Sequence, residues 1–450
     1  MDYATTPDTG LPRSCADEQH DADPAASGSP TSAIGLAAAR LRSAEQCRPD
    51  RVTAALANTA ERWRDREFAL RRETVAALAA AFGMARPLLD ESFDALLEPV
   101  TAAGLESLVA KLPLTNRLFG FLMPGNLPGA GIHEICAALL AGARLIIKPP
   151  SIEPLFFANF IRTLAEVDAA VAARATVVNF GRAHSAAMRE LRSCCDGGVV
   201  AYGDDATIAA LAAERGERPL AGFGSRLSGA LVVAGASPSA ADSAADGLAR
   251  DVTLFEQRGC LSPHHVFVVG SAGQARGFAA RLARALDRLA CRLPSPGRLP
   301  LGAAAAIRAI RERARWRALA GRPDCNAGDD VALWEGERLG QPLSETQGET
   351  MTWTVVYDAA APFCVSPGYR TVFVSALDSA DGLGERLGPA TGRLEAFALD
   401  APSDAREGLE AKLRLLGVSY ICEPGRMQSP PLDWPHGGAA FLRLLQGTVR

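Results

Sequence analysis

Lysine is almost absent from this chain, which has only Lys111, Lys148 and Lys412 among its 450 residues. Arginine therefore carries nearly all of the positive charge, and a lysine that is kept at a special position is more informative than usual. The formal net charge is −4, and no long run of basic residues occurs. These features argue against a nucleic-acid partner.

Long apolar runs and paired cysteine motifs are also missing. No stretch reaches the length of a membrane helix, and the acidic, polar start of the chain does not resemble a signal peptide. The ten cysteines are scattered without a Cys-x-x-Cys pair, so neither a metal site nor a disulfide framework is indicated. We therefore expect a cytoplasmic chain with reduced thiols, no metal and no membrane partner.

Four segments are predicted from the pattern along the chain. Residues 1–32 are rich in Asp, Ser, Pro, Thr and Ala, which is typical of a disordered tail. Residues 33–225 contain a helical lead-in followed by alternating strands and helices, and the alternation restarts in residues 226–425. Residues 426–450 form a short C-terminal segment.

Short apolar stretches bounded by turn residues predict the strands. Such alternation of strands and helices predicts an α/β fold with two doubly wound domains, each built on a parallel sheet. The predicted strands lie at residues 118–123, 143–148, 175–181 and 197–203 in the first domain, and at residues 229–235 and 265–269 in the second, where they flank a long helix at 240–255.

Cys260 follows Gly259 in the sequence Glu-Gln-Arg-Gly-Cys-Leu-Ser-Pro, at the junction of the long helix and a strand. Such junctions present reactive groups in α/β folds, and Gly259 leaves room for a substrate to approach the sulfur. The alternative is a buried structural cysteine, the commonest state of a free thiol. The pattern makes Cys260 a candidate nucleophile, and His264 or His265 is a candidate to lower its pKa.

Two turns that follow predicted strands carry further candidates. Asn126 lies in Pro-Gly-Asn-Leu-Pro-Gly, where its amide offers a donor to a developing oxyanion or a bond within its own turn. Lys148 ends a strand before Pro149, at the edge where parallel sheets bind nucleotides. Its ammonium suits an adenosine 2′-phosphate, and the alternative is a lysine that extends from the strand end into solvent.

Gly203 separates a predicted strand from a helix that begins near Asp204. Helix N-termini attract phosphate groups, yet Asp204 and Asp205 place negative charge at this one. A helix cap by Asp204 is an equally good interpretation. No Gly-x-Gly-x-x-Gly follows a strand, so an ordinary dinucleotide-binding loop is not predicted.

The order of these motifs resembles the acyl-CoA reductase (LuxC) family, a branch of the aldehyde dehydrogenase superfamily. The resemblance covers about residues 118–445 and implies an aldehyde-dehydrogenase-like fold. It further implies that residues 33–225 contain an NADP-binding domain and residues 226–425 a catalytic domain. The matching motifs are Pro-Gly-Asn-Leu-Pro-Gly, Ile-Ile-Lys-Pro-Pro-Ser, Val-Val-Ala-Tyr-Gly-Asp-Asp-Ala-Thr, Leu-Phe-Glu-Gln-Arg-Gly-Cys-Leu-Ser-Pro and Pro-Leu-Asp-Trp-Pro-His-Gly-Gly.

The resemblance also implies residue roles. Cys260 matches the nucleophile that becomes acylated, and Asn126 matches the asparagine that stabilises the oxyanion. Lys148 matches the lysine that contacts the adenosine ribose or its 2′-phosphate, which favours NADPH as the cofactor.

The other cofactor contacts implied by the resemblance are Ser151 and Glu153 in the ribose-contacting turn, Gly203 at the pyrophosphate and Glu349 at the nicotinamide ribose. The spacing of Glu153 is shifted from the superfamily pattern. The chain also departs from the closer family at Gly437, where an acidic residue is expected.

Aldehyde dehydrogenases carry a glutamate upstream of the cysteine, and it activates water to hydrolyse the acyl-enzyme. The corresponding residues here, 222–232, contain no acid. The resemblance therefore implies an enzyme that reduces a fatty acyl-CoA to an aldehyde with NADPH, through an acyl-cysteine.

Two alternatives stay open. One is a CoA-acylating aldehyde dehydrogenase that works in the oxidative direction. The other is a non-reducing scaffold that serves an acyl-transferring protein partner. The superfamily also implies a homo-oligomer.

Overall fold

A computed structural model of the chain describes residues 30–448 apart from 182–183, 215, 217, 236, 296–298, 321–330 and 338–350. Most of the predicted disordered tail, residues 1–29, lies outside the described residues. Residues 30–32 do not belong to such a tail, because the first helix begins at Pro30. The predicted boundary at residue 32 is therefore wrong by three residues.

The described residues form helices and strands with the following bounds. The helices are α1 (Pro30–Arg42), α2 (Pro49–Arg64), α3 (Ala69–Phe82), α4 (Arg86–Leu97), α5 (Ala102–Val109), α6 (Ile132–Leu140), α7 (Leu155–Val167), α8 (Ala169–Ala172), α9 (Ser185–Cys194), α10 (Asp205–Glu214), α11 (Pro238–Thr253), α12 (Ala272–Arg292), α13 (Leu301–Ala320), α14 (Leu383–Arg386), α15 (Ser403–Leu415) and α16 (His436–Gln446). The strands are β1 (Leu118–Leu122), β2 (Arg144–Lys148), β3 (Ala175–Val177), β4 (Gly198–Tyr202), β5 (Leu220–Phe223), β6 (Leu227–Val233), β7 (Pro263–Val269), β8 (Val331–Glu337), β9 (Met351–Asp358), β10 (Thr371–Leu377), β11 (Leu394–Asp400) and β12 (Tyr420–Cys422).

Two compact units divide the chain. The five-stranded unit contains the described residues up to 82, residues 93–225 and the segment from 429 onward. The seven-stranded unit contains residues 83–92 and 226–428. None of the described helices is both long and apolar enough to cross a membrane.

The sheet of the five-stranded unit is parallel throughout, with the strand order β3-β2-β1-β4-β5. The predicted strands in this unit are confirmed, but β3 ends at Val177 rather than at residue 181. Its neighbour β2 explains the difference, because β2 ends at Lys148 before two prolines. Proline lacks the N–H that would continue the ladder, so the pairing with β2 ends at the bond from the N–H of Val178 to the carbonyl of Ile147.

The sheet of the seven-stranded unit has the order β12-β11-β6-β7-β10-β9-β8. Its strand pairs are parallel except at one edge, where β8 runs antiparallel to β9. The prediction of parallel sheets is thus confirmed for both units apart from this edge strand.

Helix α11, which corresponds to the predicted long helix, leads to Cys260. Ser237 caps it by accepting from the backbone N–H of Ala240, and Pro238 occupies its first turn. The sequence predicts that this helix extends to Phe255, but it ends at Thr253. A 3-10 turn over Leu254–Gln257 follows, in which Phe255 and Glu256 have φ of 54°, so the helix cannot continue.

Candidate active site

Cys260 lies in the turn between the 3-10 turn and β7, and it is half-buried. Its carbonyl oxygen accepts a hydrogen bond of 2.6 Å from the Ser228 hydroxyl, which in turn accepts from the backbone N–H of Ala396 at 3.0 Å. The carbonyl of Gly259 accepts from the backbone N–H of Ser262 at 3.1 Å. The peptide groups on both sides of the Cys260 Cα are therefore fixed in orientation.

Glu256 is the carboxylate closest to Cys260 in the sequence, and both of its oxygens are hydrogen-bonded to Arg370. Its two oxygens accept from Nε and Nη2 of Arg370 at 3.1 and 2.7 Å. Glu256 is 1% exposed and Arg370 is 0% exposed. This two-point ion pair leaves Glu256 badly placed to accept a proton from water.

The two histidines after the cysteine are also engaged elsewhere. Nδ1 of His264 accepts from the backbone N–H of Ser366 at 2.9 Å, and Nδ1 of His265 accepts from that of Cys364 at 3.0 Å. Burial lowers the pKa of His264 to about 4 and the pKa of His265 to about 3. Both rings are uncharged at neutral pH, so neither supplies the positive charge that would lower the pKa of the Cys260 thiol.

The candidates in the other unit share one edge of its sheet. Strand β1 lies between β2 and β4, and the carboxyl ends of parallel strands meet at the same edge. Asn126 follows β1 in an exposed turn, Lys148 ends β2, and Gly203 follows β4. The turns after β1 and β2 lie close together, since a Cβ atom on Gly125 would lie 3.4 Å from Cβ of Pro150.

Lys148 and Ser151 lie close together in the chain at this edge of the sheet. Lys148 is half-buried, with Nζ 5.8 Å from the ring centroid of Phe180, and Ser151 is exposed in the next turn. Glu153, two residues after Ser151, is buried and only 3% exposed. Its Oε1 accepts from the backbone N–H groups of Leu155 and Phe156 at 2.8 and 2.5 Å, so it caps α7. Burial raises the pKa of Glu153 to about 7.

Two carboxylates, Asp204 and Asp205, lie at the N-terminus of the helix after Gly203. Oδ1 of Asp204 accepts from the backbone N–H of Thr207 at 2.7 Å, which confirms the predicted cap. Oδ1 of Asp205 accepts from the N–H of Ser225 at 2.8 Å. A phosphate at this N-terminus would therefore meet negative charge, which weakens the case for Gly203. Glu349, the remaining candidate, lies outside the described residues.

The C-terminal segment brings a further set of side chains into the five-stranded unit. Nδ1 of His436 lies 2.7 Å from Oε1 of Glu134 on α6, and its ring stacks with Phe223 at 4.4 Å and with Trp434 at 4.7 Å. Burial alone would raise the pKa of Glu134, but His436 outweighs it and the pKa falls to about 2. No local signal in the sequence pairs two residues that are 302 positions apart.

Gly437, the departure from the family pattern, has a structural reason. Its φ is +59°, and a Cβ atom there would lie 2.7 Å from Cδ1 of Phe223. A side chain at this position would clash with the ring on which His436 is stacked. Among the described residues no group of three or more His, Cys, Asp or Glu side chains is arranged to hold a metal ion.

Comparison with known proteins gives a family match and a curated relative. The model of the acyl-CoA reductase (LuxC) family matches residues 116–447. Long-chain acyl-protein thioester reductase 2 of Photobacterium leiognathi is 24% identical over 256 residues. That match covers 56% of this chain and 47% of the relative, so the chain spans about half of the relative's length.

Solved aldehyde dehydrogenases are similar in fold. An NAD-dependent benzaldehyde dehydrogenase of Corynebacterium glutamicum is 15% identical with a TM-score of 0.59, over 89% of this chain and 86% of that one. An aldehyde dehydrogenase of Bacillus cereus, solved with NAD⁺, is 16% identical with a TM-score of 0.59, over 88% and 81%. The likeness confirms the predicted aldehyde-dehydrogenase-like fold.

Proposed function

Because this chain belongs to the acyl-CoA reductase (LuxC) family of oxidoreductases, we propose that it reduces an acyl-CoA thioester to an aldehyde with Cys260 as the covalent nucleophile. The observation that carries the proposal is the turn that presents Cys260. The thiol is half-buried, the peptides on both sides are fixed by hydrogen bonds, and the turn follows residues with left-handed φ. Strained backbone of this kind is typical of reactive sites.

The first proposed step is attack of the Cys260 thiolate on the acyl carbonyl carbon. A bond forms to Cys260, the bond to the CoA sulfur breaks, and CoA leaves as a thiol after it takes up a proton. The Cys260 N–H is the proposed oxyanion donor, since the fixed Gly259 carbonyl also fixes the N–H of that planar peptide. Asn126 is carried over from the family as a second donor, and one such donor is worth about 3–4 kcal/mol.

The second proposed step converts the acyl-cysteine to aldehyde. A reduced nicotinamide cofactor, when bound, supplies the hydride. Collapse of the resulting thiohemiacetal breaks the carbon–sulfur bond, releases the aldehyde and regenerates the Cys260 thiolate.

NADPH is the proposed cofactor, and the residues at the sheet edge fit its adenosine end. Lys148 offers a cation and Ser151 a hydroxyl, the groups that a 2′-phosphate needs. A carboxylate that would bind a free ribose diol is not available from Glu153, because its carboxyl group faces inward and caps α7. We therefore propose roles at the phosphate for Lys148 and Ser151, and we keep Gly203 and Glu349 as contacts proposed on the family pattern alone.

The reductive direction is proposed because a base that would activate water is missing near Cys260 in the sequence. Residues 221–232 contain no acid, and Glu256 is held by Arg370. Attack of water on the acyl-cysteine then lacks general-base help, which is worth roughly 100- to 10,000-fold. The acyl group should instead be reduced or returned to a thiol.

The proposed partners follow from this chemistry. The substrate is an acyl thioester of CoA, and the name of the Photobacterium relative adds acyl-protein thioesters as a second candidate donor class. An acyl-transferring protein would then be a partner, and a homo-oligomer is proposed by analogy with the superfamily. A catalytic thiol needs a reducing compartment, so we propose that the enzyme acts in the cytoplasm.

An acyl-CoA panel with NADPH tests the proposal. One NADPH should be oxidised and one CoA thiol released for each aldehyde formed, and a parallel reaction with an acylated protein distinguishes the two donor classes. Acyl transfer without any oxidation of NADPH would contradict the proposal and favour the scaffold.

A further inference from the structure

Two short segments of the seven-stranded unit have an unusual backbone. In the described part of the chain, the non-glycine residues with positive φ fall only in these segments. Phe255, Glu256 and Gln257 have φ of 54°, 54° and 57°, and Tyr369 and Arg370 have φ of 52° and 58°. The left-handed region is unfavourable for residues with a Cβ atom, so these segments need contacts that hold them there.

The two segments hold each other through the backbone and one amide side chain. The N–H of Tyr369 donates to the carbonyl of Glu256 at 2.8 Å. The Gln257 side chain accepts from the N–H of Thr371 at 2.8 Å and donates to its carbonyl at 2.8 Å. The same amide donates to the carbonyl of Pro263 at 2.7 Å, so the bonds reach both sides of Cys260.

The ion pair between Glu256 and Arg370 also joins the two left-handed segments. It is two-pointed and fully buried, and the remaining guanidinium nitrogen Nη1 donates to the carbonyl of Leu293 at 2.7 Å. Stability alone is a poor reason for such a pair, because apolar residues of similar volume often replace buried ion pairs without loss. Its location suggests a role at the candidate active site, because Cys260 lies three residues after Gln257 in the sequence.

We propose that the Glu256–Arg370 pair positions Cys260, by holding the two left-handed segments against each other so that the thiol is presented in a single orientation. The inference rests on the proposed function, in which Cys260 is the nucleophile. Glu256 and Arg370 are positioning residues in this account and do not touch the substrate. A displaced nucleophile reacts slowly even when the substrate binds normally.

The test replaces the pair by apolar residues in the double variant Glu256→Met/Arg370→Met. Alkylation of Cys260 by iodoacetamide is followed by peptide mass across a pH series, and kcat and KM are measured with acyl-CoA and NADPH. The control is Arg311→Met/Glu335→Met, which removes another ion pair of the same unit, with side chains that are 4% and 23% exposed. That pair joins α13 to the edge strand β8, three strands away from β7.

The expected result is a folded double variant in which alkylation of Cys260 and kcat fall about 10- to 100-fold while KM changes little. The pH midpoint of alkylation should stay in place, because the lost pair is neutral overall. Arg370→Lys, which keeps the charge but not the two-point geometry, should lie between the double variant and the wild type. The control should react like the wild type.

Three outcomes overturn the proposal. The first is a folded double variant, or Arg370→Lys, that reacts at the wild-type rate. The second is a shifted pH midpoint with an unchanged maximum rate, which would mean that the pair acts through charge. The third is failure of both variants to fold, which would make the pair a requirement for folding. Because iodoacetamide needs no acyl substrate, absence of acylation in the wild type would refute the proposed function separately.

Discussion

Two opposing effects act on the pKa of the Glu153 carboxyl group. One oxygen caps α7, while the other is buried without a hydrogen-bond partner. Burial favours the protonated form and raises the pKa from 4.5 to about 7, although the two helix N–H groups favour the charged form. The folded protein thus holds this proton more tightly than the unfolded chain does.

Glu153→Gln should therefore change how stability depends on pH. With a folded pKa above the unfolded value, Glu153 costs stability as pH rises from about 4.5 to about 7, by up to roughly 3 kcal/mol. The glutamine keeps the capping oxygen and does not titrate, so urea unfolding at pH 5 and pH 8 should show a smaller loss than in the wild type. The exposed Glu166→Gln serves as the control, and an unchanged pH dependence in Glu153→Gln would refute the assignment.

Lys148 carries the prediction for cofactor choice. Lys148→Ala should raise the KM for NADPH by about 10- to 100-fold, because a charge-assisted hydrogen bond contributes about 1.5–3 kcal/mol. The KM for NADH, which has no 2′-phosphate, should change little. Steady-state kinetics with both cofactors measure this difference.

Lys412→Ala is the matched control for Lys148→Ala, because Lys412 lies on α15 and pairs with Asp381. It should leave both KM values unchanged. Equal effects of Lys148→Ala on NADPH and NADH would mean that Lys148 contacts only the parts that the two cofactors share.

At the scale of elements, the C-terminal segment depends on its contact with α6. His436→Phe should keep the ring stack but remove the imidazole Nδ1 that lies 2.7 Å from Oε1 of the buried Glu134. Removing the hydrogen-bond partner of a buried carboxylate costs about 1–3 kcal/mol, so we expect a loss in that range at neutral pH. Urea unfolding of His436→Phe and of the wild type measures this loss of stability.

The double variant Glu134→Gln/His436→Phe separates the charge from the packing. It should recover much of the lost stability, since no uncompensated carboxylate remains. If the double variant is no more stable than His436→Phe, the loss comes from packing and the contact between Glu134 and His436 contributes little.

The local pattern of the sequence is sufficient to predict several of the helices and strands before residue 270. Strands β1, β2 and β4 follow from short apolar stretches with turn residues at their ends, and the cap of α10 follows from Asp204 alone. The end of β3 could not be predicted, because it depends on where its neighbour β2 stops. The left-handed turn after α11 could not be predicted either, because contacts with residues 114 positions away hold it.

For the candidate site, the positions of residues at strand ends could be predicted, but the contacts of their side chains could not. The sequence gives the positions of Asn126, Lys148 and Gly203 at strand ends, and parallel pairing then places them on one edge. It does not give the direction of the Glu153 side chain or the partners of Glu256 and His264. Those depend on burial and on long-range contacts, which a local pattern does not contain.

At the scale of the whole molecule, we predict that oxidation of an aldehyde stops at the acyl-enzyme unless a thiol is present. With an aldehyde and NADP⁺ alone, the enzyme should stall after one turnover as an acyl-enzyme. Adding CoA should restore turnover and give acyl-CoA, because a thiol can accept the acyl group without a base that activates water. Rapid-quench measurement of NADPH formation, with and without CoA, distinguishes these cases.

Sustained production of carboxylic acid without any thiol would contradict the reductive assignment. It would require another group to activate water, and the molecule would then act as an ordinary aldehyde dehydrogenase.

The most direct test of the central claim is the intact mass of the protein after incubation with an acyl-CoA in the absence of NADPH. The account predicts one acyl adduct per chain, which disappears in Cys260→Ala and persists in Cys291→Ala, a variant of an exposed cysteine on α12. Addition of NADPH should then remove the adduct and release aldehyde. An adduct that remains in Cys260→Ala and maps to another cysteine would contradict the account.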